Sequence, residues 1–210
     1  MKTIWNSVLA AVVLSFSFLS LQSSHSNQYL SDSYATEYFL EQDSIVRGIS
    51  FASFQKLTSN LDTIPNAMNK AWRLWKAEKW DKLEAYFEKE NLNGEYPPAD
   101  GFISIDTVVL ADDTKIDRYG SLWGTFVAPT GTPFGQRALP ASSKARVYYQ
   151  FEVTKDIPGV LKGKAIPWFN EPGEGIQYMM PKSMKDLIKE GYIIILDSII
   201  PNTLVDKYGE

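Results

Sequence analysis

The sequence predicts an α+β protein in which a helical segment precedes a twisted, mainly antiparallel sheet. Three observations predict it. Residues 65–93 carry apolar side chains at helical spacing with charges on the other face. From residue 96 onward, prolines and glycines punctuate short β-rich runs. One late helical run sits among those strands, the pattern of a sheet that gathers its helices separately.

The elements follow in chain order. Met1 and Lys2 lead into an uncharged apolar stretch over residues 4–21, then into Ser23-Ser24-His25-Ser26. That is the layout of a secretory signal peptide, placed at 1–25. An uncleaved anchor is the alternative, because the stretch approaches bilayer-spanning length. Residues 26–94 form the helical N-terminal segment. Its first part, 27–63, is mixed and polar with Tyr29, Tyr34, Tyr38, Phe39 and Phe51 scattered through it, and predicts short helices or an irregular wrap. Pro65 then suits a first helical turn, and Met68, Ala71, Trp72 and Trp75 share one face. A second helix carries Leu83, Tyr86 and Phe87 and stops at Gly94. Aromatic stripes at this spacing are core faces far more often than ligand boxes. Residues 95–210 form the sheet domain, with strands over 102–110, 125–127, 146–153 and 192–196 and a helix over 183–189 ended by Gly191.

Composition narrows the chemistry. With 44% hydrophobic and 22% charged residues the chain is globular in character. A net charge of -4, a pI near 5.2 and no basic run argue against a nucleic-acid partner. Cysteine is absent, so the fold rests on its core even in an oxidising compartment. The single histidine, His25, falls at the signal segment. Cys/His metal sites and Cys-His or Ser-His-Asp schemes therefore have no residues to use. Phosphate-cradling glycine motifs are missing, and Asp112-Asp113 lacks the further oxygens of a calcium loop. A site without metal or cofactor is what remains.

Four stretches, in order, carry a resemblance. They are Tyr96-Pro97-Pro98-Ala99-Asp100-Gly101-Phe102, Ile116-Asp117-Arg118-Tyr119-Gly120, the run from Gly131-Thr132-Pro133-Phe134 through Gly135-Gln136-Arg137-Ala138-Leu139-Pro140, and the run from Ile166-Pro167-Trp168-Phe169-Asn170 through Glu171-Pro172-Gly173-Glu174-Gly175-Ile176-Gln177-Tyr178. Together they resemble the tuberculosis necrotizing toxin domain family over residues 96–196. The resemblance implies a fold related in outline to ADP-ribosyl-transferring toxins, without their usual catalytic glutamate. It implies a secreted NAD glycohydrolase, which splits NAD into nicotinamide and ADP-ribose. NAD would be the substrate and no cofactor is expected. A neutralising inhibitor protein in the producing cell is implied as a partner, and no membrane partner once the signal is cleaved. A mono-ADP-ribosyltransferase and a non-catalytic secreted binding module are the alternatives.

Cleavage of NAD passes through an oxocarbenium-like ribose, as glycosidic cleavage does. The protein must supply cationic donors for the pyrophosphate, an aromatic surface and a polar group beside the reacting carbon. Arg137 and Arg118 are the guanidinium candidates, each competing with a structural role on Asp117 or a backbone carbonyl. Tyr119, Phe134 and Trp168 stand on turn-rich segments, as ligand contacts or as packing beneath the loops. Gln177 matches the glutamine that the resemblance marks as catalytic, and its amide both donates and accepts. Catalytic roles thus fall to Gln177 and Arg137, and substrate binding to Arg118, Tyr119, Phe134, Trp168 and Glu174. The chain departs from the family at Asn170, Glu171 and Glu174, where many members are richer in glycine. The acidic pair either weakens binding of an anionic substrate, or Glu174 stabilises the ribose cation. A histidine of some relatives is replaced here by Tyr148 or Tyr149.

Overall fold

The computed structural model describes residues 44–58 and 66–201. The chain divides into two units, Met1–Ser44 and Ile45–Glu210. The signal-peptide expectation, with Tyr29, Tyr34, Tyr38, Phe39 and Pro65, lies outside the described residues.

A two-residue hairpin opens the second unit. Strands β1 (Ile45–Val46) and β2 (Ile49–Ser50) are joined by Arg47 and Gly48, both at positive φ (51° and 81°), as a mirror-image hairpin turn requires. Position 48 needs glycine for a second reason: a Cβ there would lie 2.0 Å from the Ile105 carbonyl oxygen. Ser50 then caps α1 (Phe51–Lys56), its hydroxyl accepting the Ser53 N–H at 3.1 Å. Helix α2 (Ala67–Lys76) buries the face formed by Met68, Ala71, Trp72 and Trp75, and α3 (Trp80–Glu90) buries Leu83, Tyr86 and Phe87. Asn91, in the left-handed conformation, ends α3 ahead of Gly94. The rings interlock: Trp72 stacks on Trp75 at 5.1 Å, and Phe54 tilts against them at 4.9 and 5.6 Å. The helical stripe is core.

Polar contacts, most of them partly buried, tie these helices to the segments that flank the sheet. Arg47 donates through Nη2 to the Trp75 carbonyl and through Nε to the Ile103 carbonyl, both at 2.9 Å. One side chain thereby caps α2 and pins residue 103. Trp75 Nε1 donates to the Phe102 carbonyl at 3.1 Å, and Trp168 Nε1 to the Glu95 carbonyl at 2.8 Å. Phe169 N–H donates to Glu84 at 2.6 Å.

The sheet has seven strands: β3 (Asp106–Leu110), β4 (Lys115–Tyr119), β5 (Phe126–Pro129), β6 (Tyr148–Val153), β7 (Ile157–Lys164), β8 (Ile176–Met179) and β9 (Ile193–Ile199). Their spatial order is β3-β7-β8-β5-β4-β6-β9, and every neighbouring pair is antiparallel. Ile116, Phe151, Val160 and Tyr178 pack with Met184 and Leu187 of α4 (Met184–Lys189) into one apolar cluster. Ser183 caps that helix by accepting the Asp186 N–H at 3.1 Å. The α+β expectation holds.

Three strands escape the sequence patterning, for physical reasons. In β4 the adjacent residues Ile116 and Asp117 are both buried, so the in-out alternation is lost. In β7 Pro158, Gly159 and Gly163 interrupt a strand pattern, and β8 is too short to show a period. The run expected from residue 102 is regular only from Asp106; Phe102 makes an isolated bridge to Ala165.

Candidate functional site

A cavity of about 350 Å³ opens where the sheet parts around β5. The C-terminal end of β5 pairs with β4 through Ile116↔Pro129 and Asp117↔Ala128. Its N-terminal end pairs with β8 through Phe126↔Met179 and Val127↔Tyr178. Each neighbour therefore leaves part of β5 uncovered. The Phe126 carbonyl, without a ladder partner on the β4 side, accepts from Arg118 Nη1 at 3.1 Å instead. Pleating sends Ile116 and Tyr178 into the α4 cluster, and Asp117, Tyr119 and Gln177 to the opposite face.

One wall is built on Asp117, whose side chain is fully buried. It forms an ion pair with Arg137 Nη1 and accepts from the Tyr148 hydroxyl at 2.6 Å and the Gly131 N–H at 3.1 Å. Arg137 also donates through Nε to the Thr132 carbonyl at 2.9 Å. Its guanidinium lies 5.5 Å from the Tyr119 ring centre, and Tyr119 in turn packs on Tyr148 at 4.8 Å. Burial first, then Asp117, push the Tyr148 hydroxyl pKa up, so it remains a proton donor to the carboxylate.

The opposite wall is a strained turn. Ala99, Asp100 and Gly101 follow one another at φ 53°, 52° and 76°. For a non-glycine residue this conformation costs about 1–2 kcal/mol, and such strain persists only where the surroundings impose it. Here the chain just after α1 imposes it. Thr58 Oγ1 accepts the Ala99 N–H at 3.0 Å, and the Leu57 carbonyl accepts the Asp100 N–H at 3.2 Å. The Gly101 carbonyl accepts from Ile166 N–H at 2.9 Å and from Gln177 Nε2 at 3.0 Å. A carbonyl only accepts, so this bond fixes the Gln177 amide and leaves Oε1 as its acceptor for a ligand. Asp100 lines the cavity, and burial raises its carboxyl pKa. Tyr96, about half exposed, meets Phe169 edge-on at 5.4 Å along the same cavity.

The structure brings Gln177, Arg137 and Tyr119 into one cavity. It treats the other sequence candidates differently. Arg118 borders the cavity, but its guanidinium lies against Gly124, where even a Cβ would come within 2.2 Å of it. Burial and the nearby Arg146 lower its pKa. The ion pair with Asp117 belongs to Arg137, because alternation turns residues 117 and 118 to opposite faces. Phe134 is outside the lining and backs Tyr119 edge-on at 5.4 Å. Trp168 is a core residue, 1% exposed and edge-on to Phe87 at 5.6 Å. Glu174 is exposed and pairs with Lys164 at 3.5 Å, outside the lining. Sequence reasoning gave no role to Asp100 or to Tyr148 as a partner of Asp117. The Pro-Pro-Ala-Asp-Gly run marked a turn, but only the fold shows which cavity that turn faces.

The chain is similar to several known proteins. Residues 109–195 match the family model described as Tuberculosis necrotizing toxin. That range leaves out the stretch at residues 96–102. A conidial surface nicotinamide adenine dinucleotide glycohydrolase, nadA of Aspergillus fumigatus, is 38% identical over 117 residues. The alignment covers 49% of each protein, so the chain spans about half the length of that curated relative. Among solved structures, tuberculosis necrotizing toxin complexed with its immunity factor IFT overlaps with a TM-score of 0.41 at 22% identity, covering 48% of this chain and 60% of that one. Tse6 in complex with Tsi6 overlaps with a TM-score of 0.33 at 14% identity, covering 59% and 96%.

Proposed function

We propose, from the match of residues 109–195 to the tuberculosis necrotizing toxin family model, that the protein is an exported NAD glycohydrolase. The carrying observation is that one cavity gathers Gln177, Arg137 and Tyr119, residues far apart in sequence. The 38%-identical relative bears the name of that activity.

The C1′–N bond breaks and its electron pair leaves with nicotinamide, which turns the pyridinium into a neutral product. Positive charge develops on the ribose, and a water oxygen then bonds to C1′. Gln177 Oε1 accepts a hydrogen bond from a ribose hydroxyl or from that water, and being an amide it does so at any pH. Arg137 has Nε and Nη1 committed to Thr132 and Asp117. Its Nη2 is the group offered to the substrate, in a geometry fixed before binding. Tyr119 supplies the aromatic surface. Small-molecule sites run from about 300 to 1,000 Å³. A cavity of about 350 Å³ lies within that range and has room for the nicotinamide–ribose end.

Export rests on residues 1–25, and the name of the relative places that protein on a conidial surface. A neutralising partner in the producing cell rests on the family match alone. The test of the activity is incubation of the full chain with NAD, followed by chromatography of the products. Equimolar nicotinamide and ADP-ribose are expected. ADP-ribose attached to protein would mean a transferase, and unchanged NAD a binding module.

A further inference from the structure

The cavity holds two carboxylates in unlike settings. Asp117 is buried against Arg137, Tyr148 and the Gly131 N–H, and its charge is spent on holding that wall together. Asp100 lines the same space, and among the described residues burial alone acts on its carboxyl, with neither a charged neighbour nor a hydrogen-bond donor among the causes. Its backbone sits in a left-handed turn held by Leu57 and Thr58. The next residue, Gly101, carries the carbonyl that orients Gln177. A left-handed aspartate commonly bonds its own neighbouring backbone; this one lines the cavity instead.

We propose that Asp100 is a further catalytic residue of this site, its carboxylate facing the ribose cation and taking the proton of the attacking water. This rests on the NAD glycohydrolase reading above. As the C1′–N pair departs with nicotinamide, the anionic carboxylate offsets the charge gathering on C1′ and O4′. The water oxygen then bonds to C1′, one of its protons passes to Asp100, and the proton leaves to solvent. A neutral glutamine cannot do either job. The site therefore works with two groups of one cavity: Gln177 positions, and Asp100 carries charge and the proton.

Burial strengthens the assignment, because it raises the Asp100 pKa and so makes the carboxylate a better base than an exposed one. Tyr96 on its own segment, Asp117, Arg118 and Tyr119 from β4, and Arg137 are the other charged or titratable groups lining the cavity.

The experiment uses the full chain and three proteins: wild type, Asp100→Asn and Asp100→Gly. Nicotinamide release gives kcat and KM, and thermal melting reports the fold. Asparagine keeps the shape and tolerates left-handed backbone. Glycine relieves the strain, so its melting temperature should equal or exceed that of wild type. Both variants are expected to lose about 10²–10³-fold in kcat, with KM within about threefold. Wild-type kcat should fall toward acid with a midpoint above the ordinary aspartate value of about 3.9, and Asp100→Asn should lose that limb. Either variant turning over within about threefold of wild type overturns the proposal. So does unfolding of both, which would make the side chain structural. A wild-type protein that leaves NAD intact overturns the underlying activity, a separate outcome from these.

Discussion

The two walls of the cavity are built in opposite ways. The β4 wall is held by charge and hydrogen bonds: Asp117 gathers Arg137, Tyr148 and the Gly131 amide around one buried carboxylate. The wall at 99–101 is strained, and it keeps its shape only because residues outside the sheet hold it. The first wall stores its order in electrostatics, where loss of one member is costly because the others stay buried. The second stores it in backbone conformation imposed by neighbours. The difference teaches that the helical segment is part of the site's construction, because Leu57 and Thr58 follow α1 and clamp the turn that orients Gln177.

The contrast is broken most severely at Asp117. Replacing it by alanine leaves the Arg137 charge buried without its partner, a loss of about 3–5 kcal/mol for such pairs. Equilibrium denaturant unfolding measures it, and a loss below about 1 kcal/mol would mean that Arg137 reaches solvent and that the wall is not a closed network.

Gln177→Ala comes next, and acts on chemistry instead of stability. Preorganised polar groups in active sites are worth about 10²–10³ in turnover, or roughly 3–4 kcal/mol. Turnover by nicotinamide release should fall by that factor with NAD affinity little changed. Near wild-type turnover in a folded variant would move the catalytic assignment to Asp100 alone.

Thr58→Val probes the strained wall with a smaller effect. It removes the acceptor of the Ala99 N–H while keeping the shape, and an unsatisfied buried donor costs about 1–3 kcal/mol. The melting temperature should drop accordingly. Because the turn also orients Gln177, kcat should fall more than KM changes. A stability loss with unchanged kcat would uncouple the turn from catalysis.

Glu174→Gln is the smallest. Exposed and paired only with Lys164 at 3.5 Å, its carboxylate belongs to a class of surface pairs worth about 0–1 kcal/mol. Activity within about threefold of wild type is expected. Near-abolition would return Glu174 to the role of cation stabiliser.

How much of this was legible beforehand differs by element. The faces of α2 and α3 were readable because Trp72, Trp75, Leu83 and Phe87 repeat at helical spacing and meet the rest of the chain along a single stripe. Helix α4 was readable from Ser183 and Gly191, which bracket it by local backbone chemistry. β4 was not, since Asp117 is buried by partners from residues 131, 137 and 148, and nothing local announces a buried carboxylate. Trp168 and Phe134 looked like ligand contacts because they sit in Gly/Pro-rich turns. Their surroundings, Phe87 and Glu95 for one and Tyr119 for the other, come from distant segments.

By itself the sequence determined what depends on neighbours in the chain: helical periodicity, caps, turns and the residue types left for chemistry once Cys and usable His were gone. It also offered Gln177 and Arg137 as candidates through motif resemblance. Only the tertiary structure decided that Asp117 holds Arg137 while the Arg118 guanidinium lies against Gly124, because pleating turns residues 117 and 118 to opposite faces. Only the tertiary structure joined Asp100 to the cavity, since the clamp that bends residues 99–101 comes from Leu57 and Thr58, about forty positions earlier. Side-chain burial and backbone strain are set by whatever the fold packs alongside, and that partner is chosen by three-dimensional closure, which local sequence does not encode.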